Sequence, residues 1–352
     1  MPKPSYLLTE EGLRKVKAAF VKFCGKPSPS KEEMGRCAEL DSGTIRKLLE
    51  RTGGVNRGTL ERLCSRFGWD LELELQEGVH YIAASSNPMV GRTLRQHYRI
   101  IKYLGKWEFG ETYLSKDEDI PDPSLCIVKQ LRSESKETTK RLNREARVLR
   151  RLGKHSQIPQ LFACFEENES FYLVHEFIEG KNLEQELMES QLWTETKVVT
   201  LLRDILEILK VVHQDNVIHR NINPQSLIRR SSDGKLVLTD FGAVLEISMG
   251  ETRTFAGSKH YIPPEQSYGT PQLCSDIYSV GIIGIQAFTG LHPKKLKANY
   301  DTGNIIWRDK AQVKVSPDCA SILDKMVDYS FKTRYQSAGE VLQALQGLKI
   351  SE

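Results

Sequence analysis

Apolar residues recur at helical spacing through the first third of the chain. Leu13, Val16, Phe20 and Phe23 fall on one face of a helix expected over Leu7 to Phe23. Gly25-Lys26-Pro27-Ser28-Pro29-Ser30 breaks that pattern, and Ser30 stands three residues before Glu33 in a capping-box arrangement. Shorter helical faces follow: Met34, Cys37 and Ala38 with Leu40; Ile45, Leu48 and Leu49 behind a capping Ser42; and Leu60, Leu63, Cys64 and Phe67 within Thr59 to Phe67, which Gly68 closes. Leu71, Leu73 and Leu75 alternate with Glu72 and Glu74, the pattern of a short strand. Residues 78–96, with Ser85-Ser86-Asn87-Pro88 and Gly91, hold no period and are expected to be a linker.

Beyond residue 97 the pattern changes to strands and longer helices. Tyr98 to Leu104 and Cys126 to Lys129 are strand-like, and Thr138 to Leu152 places Leu142, Ala146, Leu149 and Leu152 in helical register. Phe171 to Phe177 is mostly apolar, as in a buried strand. Thr194 can cap a helix running to His213, with Val198, Leu202, Ile205, Leu209 and Val212 on one face. Asp276 opens a stretch to Thr289 that is apolar on nearly all sides, hence a buried helix, and Val341, Leu342, Leu345 and Leu348 form a closing one.

Composition narrows the classes. A chain of 352 residues accommodates two domains, and 39% hydrophobic with 27% charged residues excludes wholesale disorder. A formal net charge of +4, spread along the chain, does not compel a nucleic-acid partner. The seven cysteines form no CxxC pair, so neither a zinc site nor a disulfide framework is indicated, and free thiols in a reducing compartment are the expectation. No apolar run approaches the ~18 residues of a membrane helix and no signal-peptide core is visible, so a soluble cytoplasmic protein is expected.

The chemistry centres on His219 to Ile228, read HRNINPQSLI, followed by Leu236 to Leu238 and then Asp240-Phe241-Gly242. This layout resembles the catalytic and metal loops of the bacterial eukaryotic-type (Hanks-type) serine/threonine protein kinases, whose signature is H-R-D-L-x-x-x-N followed by D-F-G. The resemblance covers residues of about 97 to 349 and implies an α+β, bilobal protein-kinase-like fold over 97–350, with a small lobe at 97–178 and a large lobe at 179–350. It implies nucleotide contacts at Gly105 and Gly110 of a glycine loop, at Lys129 with Glu145 as its partner, at Glu176 and Ile178 of a hinge, and at Asp240, which would also hold magnesium. Tyr261-Ile262-Pro263-Pro264-Glu265 resembles A-P-E, with Arg334 as the partner of Glu265; Asp276 would brace the catalytic loop.

The sequence departs from that signature at four places. Trp107 replaces the second loop glycine, Asn221 the catalytic aspartate, Asn223 the usual lysine and Ser226 the magnesium-binding asparagine. An amide has no usable basicity at neutral pH, and general-base catalysis typically contributes ~10²–10⁴-fold. The expectation is therefore a pseudokinase regulator, with ATP a possible conformational ligand and magnesium weakened through Ser226. An active serine/threonine kinase with an atypical catalytic loop, and a DNA-binding regulator with a kinase-like sensor, stay open beside it. Ser248, Thr252 and Thr254 of the activation segment are candidate phosphorylation sites.

The first 77 residues, expected to form a small, mostly helical domain, resemble the helix-turn-helix fold of small bacterial repressors over residues 30–75. That implies a reading helix over Asp41 to Arg51 with Thr44, Arg46, Lys47 and Arg51 outward. Glu39, Asp41 and Glu50 lie close to the same face, so a protein partner and DNA are both open.

Overall fold

A computed structural model describes residues 5–8, 10–50, 55–69, 81–83, 89–107, 110–119, 124–132, 136–189, 193–247 and 257–348. The strand expected at Leu71 to Leu75, Glu108 of the glycine loop, and Ser248, Thr252 and Thr254 lie outside these residues. By contacts the chain divides into two units, Met1–Gln130 and Leu131–Glu352, and the division falls inside a strand rather than in the expected linker.

The first unit begins with strand β1 (Ser5–Leu8), where a helix start was expected, followed by helix α1 (Glu10–Cys24). Helices α2 (Lys31–Ala38) and α3 (Ser42–Glu50), strand β2 (Val55–Asn56) and helix α4 (Arg57–Phe67) follow. Ser30 caps α2 by accepting from the Glu33 amide while the Glu33 side chain accepts from the Ser30 amide, and Gly68 ends α4 in the left-handed conformation. Val16, Phe20, Ala38, Ile45, Leu48, Leu60, Leu63 and Phe67 close one apolar core, with Phe20 meeting Phe67 edge-on at 5.2 Å. Strand β3 (Tyr81–Ala83) pairs antiparallel with β1 inside the stretch expected to be linker.

Strands β4 (Thr93–Leu94), β5 (Tyr98–Trp107), β6 (Gly110–Asp117) and β7 (Leu125–Arg132) complete the first unit up to its boundary. β5 and β6 form an antiparallel hairpin in which Gly105 opposes Thr112 and Trp107 opposes Gly110. The pairing slips between Tyr103 and Gly105, so the glycine-loop residues sit at an irregular hairpin end.

The second unit holds helix α5 (Lys136–Leu152), the antiparallel pair β8 (Leu161–Glu167) and β9 (Ser170–Glu176), strand β10 (Gly180–Asn182) and helices α6 (Leu183–Glu189) and α7 (Glu195–Gln214). Strand β11 (Val217–Ile218) leads into the catalytic loop; β12 (Leu227–Arg230) and β13 (Leu236–Leu238) follow it, with β12 pairing antiparallel to β10 on one side and to β13 on the other. β14 (Leu245–Glu246) returns to pair with β11. Helix α8 (Pro264–Ser267) precedes α9 (Leu273–Thr289), and α10 (Pro317–Met326) and α11 (Ala338–Gln346) close the unit. α9 is buried nearly throughout, as its uniformly apolar sequence requires. A Cβ at Gly281 would lie 2.6 Å from Val327, and one at Gly284 would lie 2.9 Å from Leu323, so these glycines let α10 approach the helix closely. Among the described residues, no helix is long and apolar enough to cross a membrane.

Candidate active site

The catalytic loop is built from its back forward. The Asp276 carboxylate, completely buried in the first turn of α9, accepts from the His219 and Arg220 backbone amides, each at 2.8 Å, and meets His213 Nε2 at 3.1 Å. A buried carboxylate is expensive unless saturated with donors, and these three contacts supply them. The expectation that Asp276 braces the loop is met. Arg220 takes a left-handed φ of 64°, a conformation disfavoured for side-chain-bearing residues, and Asp276 supports it by binding its amide.

His219 is wholly buried, with its ring edge-on to Phe241 at 4.8 Å. Its Nδ1 accepts from the Asn221 amide at 3.3 Å, which assigns the proton to Nε2, the atom 3.1 Å from the Thr239 carbonyl. His219 thus ties the loop to the segment carrying Asp240 and is not a general base. Arg220 Nε donates to the Ala243 carbonyl at 2.5 Å, binding the same segment from the other side.

At the tip, Asn221 Nδ2 donates to Asp240 Oδ2 at 2.6 Å, and Asn221 Oδ1 accepts from the Ser258 hydroxyl at 3.0 Å. Asn223 Nδ2 donates toward the Asn221 backbone carbonyl at 2.9 Å, Asn221 Oδ1 at 3.2 Å and Ser258 Oγ at 3.1 Å. The carboxamide of residue 221 is therefore oriented from both ends. A carboxylate there could not donate to Asp240; it would oppose it. Replacing the signature's aspartate and lysine by Asn221 and Asn223 removes one negative and one positive charge, so the loop's net charge is unchanged while its local field is weaker.

Ser226 is buried and faces the loop's own backbone. Its hydroxyl donates to the Asn223 carbonyl at 2.9 Å and receives the Asn223 amide at 3.1 Å, in a capping box around the short 3-10 turn Pro224–Ser226. The expected weak magnesium ligand is thus engaged in holding the loop. Asp240 is exposed, at a left-handed φ of 63°. Its hard carboxylate oxygens suit magnesium, so the donor set fits one ion at Asp240 better than a pair of ions.

The remaining candidates are placed as follows. Lys129, 8% exposed, lies in β7 of the first unit, and a Cβ at Gly105 of the same unit would meet nothing within 4 Å. Glu145, 2% exposed, lies in α5 of the second unit. Glu176 ends β9, its amide donating to the Gln160 carbonyl at 2.9 Å, and its own carbonyl lies 2.9 Å from Nδ1 of the buried His175. Ile178 follows, also buried. Gly110 opens β6.

α5 is held by one face. Arg144 donates to the Val244 carbonyl at 3.3 Å, Arg147 reaches Glu246 at 3.1 Å, and Arg151 bridges Glu246 at 2.8 Å and Asp215 at 2.7 Å. Burial alone would raise the Glu246 carboxyl, but hydrogen bonds from Arg151 and Arg147 outweigh it and hold the group below its ordinary range. Glu265 receives both guanidinium branches of the fully buried Arg334 at 2.6 and 2.9 Å and also the Ser275 hydroxyl at 2.7 Å, as expected for that pair.

Two contributors were not anticipated. Ser258 reaches Asn221 because Gly257, at φ 107°, crosses tightly over the loop: a Cβ there would lie 2.2 Å from the Arg220 carbonyl. Gln266 donates to that same carbonyl at 2.7 Å. The Gly-Ser pair ending a polar segment was the available signal. Among the described residues, no cluster of three or more His, Cys, Asp or Glu forms a metal cage.

The comparisons agree with this geometry. The sequence model described as "Protein kinase domain" matches residues 98–345. The chain is 39% identical over 269 residues to "Serine/threonine-protein kinase PknA" of Nostoc sp., covering 72% of this chain and 47% of that one. It is 38% identical over 275 residues to "Serine/threonine-protein kinase B" of Synechocystis sp. (73% and 48%) and 39% identical over 272 residues to "Serine/threonine-protein kinase C" of the same organism (73% and 50%). The chain spans about half the length of these curated relatives. Their names overturn the expectation of a non-catalytic pseudokinase drawn from Asn221, Asn223 and Ser226. They favour the alternative of an active serine/threonine kinase with an atypical loop.

Proposed function

This chain belongs to the protein kinase domain family, and we propose that it is a serine/threonine protein kinase whose catalytic loop works by positioning rather than by proton abstraction. The observation that carries this reading is the double-ended clamp on Asn221, between Ser258 at 3.0 Å and Asp240 at 2.6 Å. Phosphoryl transfer passes through a loose transition state in most analyses, so alignment and charge neutralisation supply most of the catalysis. Asn221 Oδ1, which accepts from Ser258 and Asn223, would orient a substrate hydroxyl by exchanging one of those contacts for it, with the proton passing to solvent or to the transferred group as the bond forms. The cost of losing a carboxylate base is a slower enzyme, within the general-base contribution of ~10²–10⁴-fold.

ATP is the phosphoryl donor in this reading. Asp240 is the residue that would hold magnesium, which would supply charge neutralisation at the transferring phosphate. Lys129 is the candidate phosphate contact and Glu145 its candidate partner. Gly105 and Gly110 would offer backbone amides to phosphate at the hairpin end, and Glu176 and Ile178 would meet the base through their backbone. The substrates are proteins bearing serine or threonine hydroxyls. Labelled ATP with a generic protein substrate tests this: measurable transfer is expected, lost in Lys129→Met. Equal counts for the wild type and Lys129→Met would overturn it.

For residues 30–75 we infer a helix-turn-helix-like module that contacts protein. Three of its cations meet carboxylates, Lys31 with Glu50, Arg57 with Glu61 at 3.2 Å and Arg66 with Glu39 at 4.0 Å, and Lys26 just before it meets Glu33. This partial internal pairing, with Glu39, Asp41 and Glu50 beside the same face, lowers the net basicity that DNA binding draws on. Salt-sensitive retardation of duplex DNA by the full chain would sink this reading.

A further inference from the structure

Five of the seven cysteines have an unremarkable setting. Cys64, Cys126, Cys274 and Cys319 are buried, and burial pushes the Cys126 and Cys319 thiols up to about 12, while Cys164 is exposed. The other two differ. Cys24, the last residue of α1, and Cys37, in α2, are each half-buried, and their Sγ atoms lie 2.7 Å apart. That separation is inside the sum of two sulfur van der Waals radii and not far from the ~2.05 Å of a disulfide bond. The two residues are thirteen apart in sequence, separated by the break at Gly25 to Ser30. Folding of α1 against α2, around Phe20 and Ala38, therefore aligns them.

We propose that Cys24 and Cys37 are a redox-modification site, closing to a disulfide that ties the end of α1 to α2 when a small-molecule disulfide oxidant is present. The inference does not depend on the kinase reading. Partial exposure lets an oxidant in, and the neighbouring thiol is already in place to resolve the first adduct. Burial, helped by the hydrogen bond to Cys37, raises the Cys24 thiol to about 11, so Cys24 serves as the resolving thiol. The Cys37 thiolate attacks one sulfur of oxidised glutathione; that S–S bond breaks and one glutathione leaves as thiolate. Cys24 then loses its proton to solvent, and its sulfur attacks the Cys37 sulfur of the mixed disulfide, expelling the second glutathione. The protein dithiol gives up two electrons and two protons, and one oxidised glutathione becomes two reduced ones.

The test uses the full chain, purified reduced, incubated with oxidised glutathione, alkylated and digested with trypsin without reductant. Cys24 falls in tryptic peptide 23–31 and Cys37 in peptide 37–46, so the link is read directly. The expected result is a joined pair of these peptides, two hydrogens lighter than their sum, that disappears with dithiothreitol. Cys24→Ser and Cys37→Ser should each abolish it, with far-UV circular dichroism confirming that at least one variant is folded. Cys164 should remain outside any internal link. Full alkylation of both thiols after oxidant, separate stable glutathione adducts on each, or linkage of either to another cysteine would overturn the proposal.

Discussion

Behind the catalytic loop, Asp276 and the Glu265–Arg334 pair are buried with their charges intact; at its tip, Asn221 and Asn223 carry amides where the kinase signature has an aspartate and a lysine. The difference follows from what each set of groups must satisfy. Asp276 completes two backbone amides and Glu265 completes a guanidinium, all out of water, so neither can lose its charge without stranding a partner. The tip can change its charges as a pair. Removing a carboxylate together with the neighbouring ammonium leaves the sum unchanged, and amides still make the hydrogen bonds that hold the loop together. The scaffold is thus electrostatically rigid and the chemistry adjustable, which is how a kinase fold can carry an atypical loop.

The largest effect is expected behind the loop. Glu265→Ala leaves Arg334 charged and buried, and should cost about 3–5 kcal/mol in urea unfolding; a loss below about 1 kcal/mol would show that water or another carboxylate replaces the pair. A change of catalytic rate at the tip comes next. The double variant Asn221→Asp with Asn223→Lys restores both charges and should raise transfer from labelled ATP by up to ~10²–10⁴-fold. Asn221→Asp alone sets a carboxylate against Asp240, where Asn221 now donates at 2.6 Å. Repulsion would raise the folded-state pKa of one of the two, so this variant should lose stability, relative to wild type, as the pH rises through the carboxylate range. An unchanged rate in the double variant would mean that positioning at the tip, not its charge, limits the enzyme.

The smallest effect concerns α5. Glu246 has a folded-state pKa below its unfolded value, so its stabilisation is present above the ordinary glutamate range and is lost as the pH falls through the folded value. Melting temperatures of wild type and Glu246→Gln should therefore converge on acidification and separate toward neutral pH. Curves that stay parallel would remove the Arg147–Glu246–Arg151 contact from the account.

Much of the helical framework was legible in advance because its signals are local. The capping box at Ser30 and Glu33, the Thr194 cap of α7 and the left-handed Gly68 each involve a few neighbouring residues. β1 was read as the start of a helix, and β3 lay in a stretch without period, because two short strands are defined by pairing with each other rather than by composition. The Cys24–Cys37 approach escaped for the same reason: spacing alone does not say that two helices will set two sulfurs together.

Motif order by itself determined the kinase fold, and it named the loop around which His219, Arg220, Asp240 and Asp276 gather. Its expectation of a non-catalytic pseudokinase, drawn from Asn221 as a missing base, is overturned by the names of relatives that are 38–39% identical, each a serine/threonine-protein kinase. Only the tertiary structure decided that Asn221 is clamped by Ser258 and Asp240, and that the Ser226 hydroxyl is bound to the loop backbone. Those facts depend on residues up to 37 positions apart meeting in space, and the free energy that brings them together comes from the packing of the whole unit.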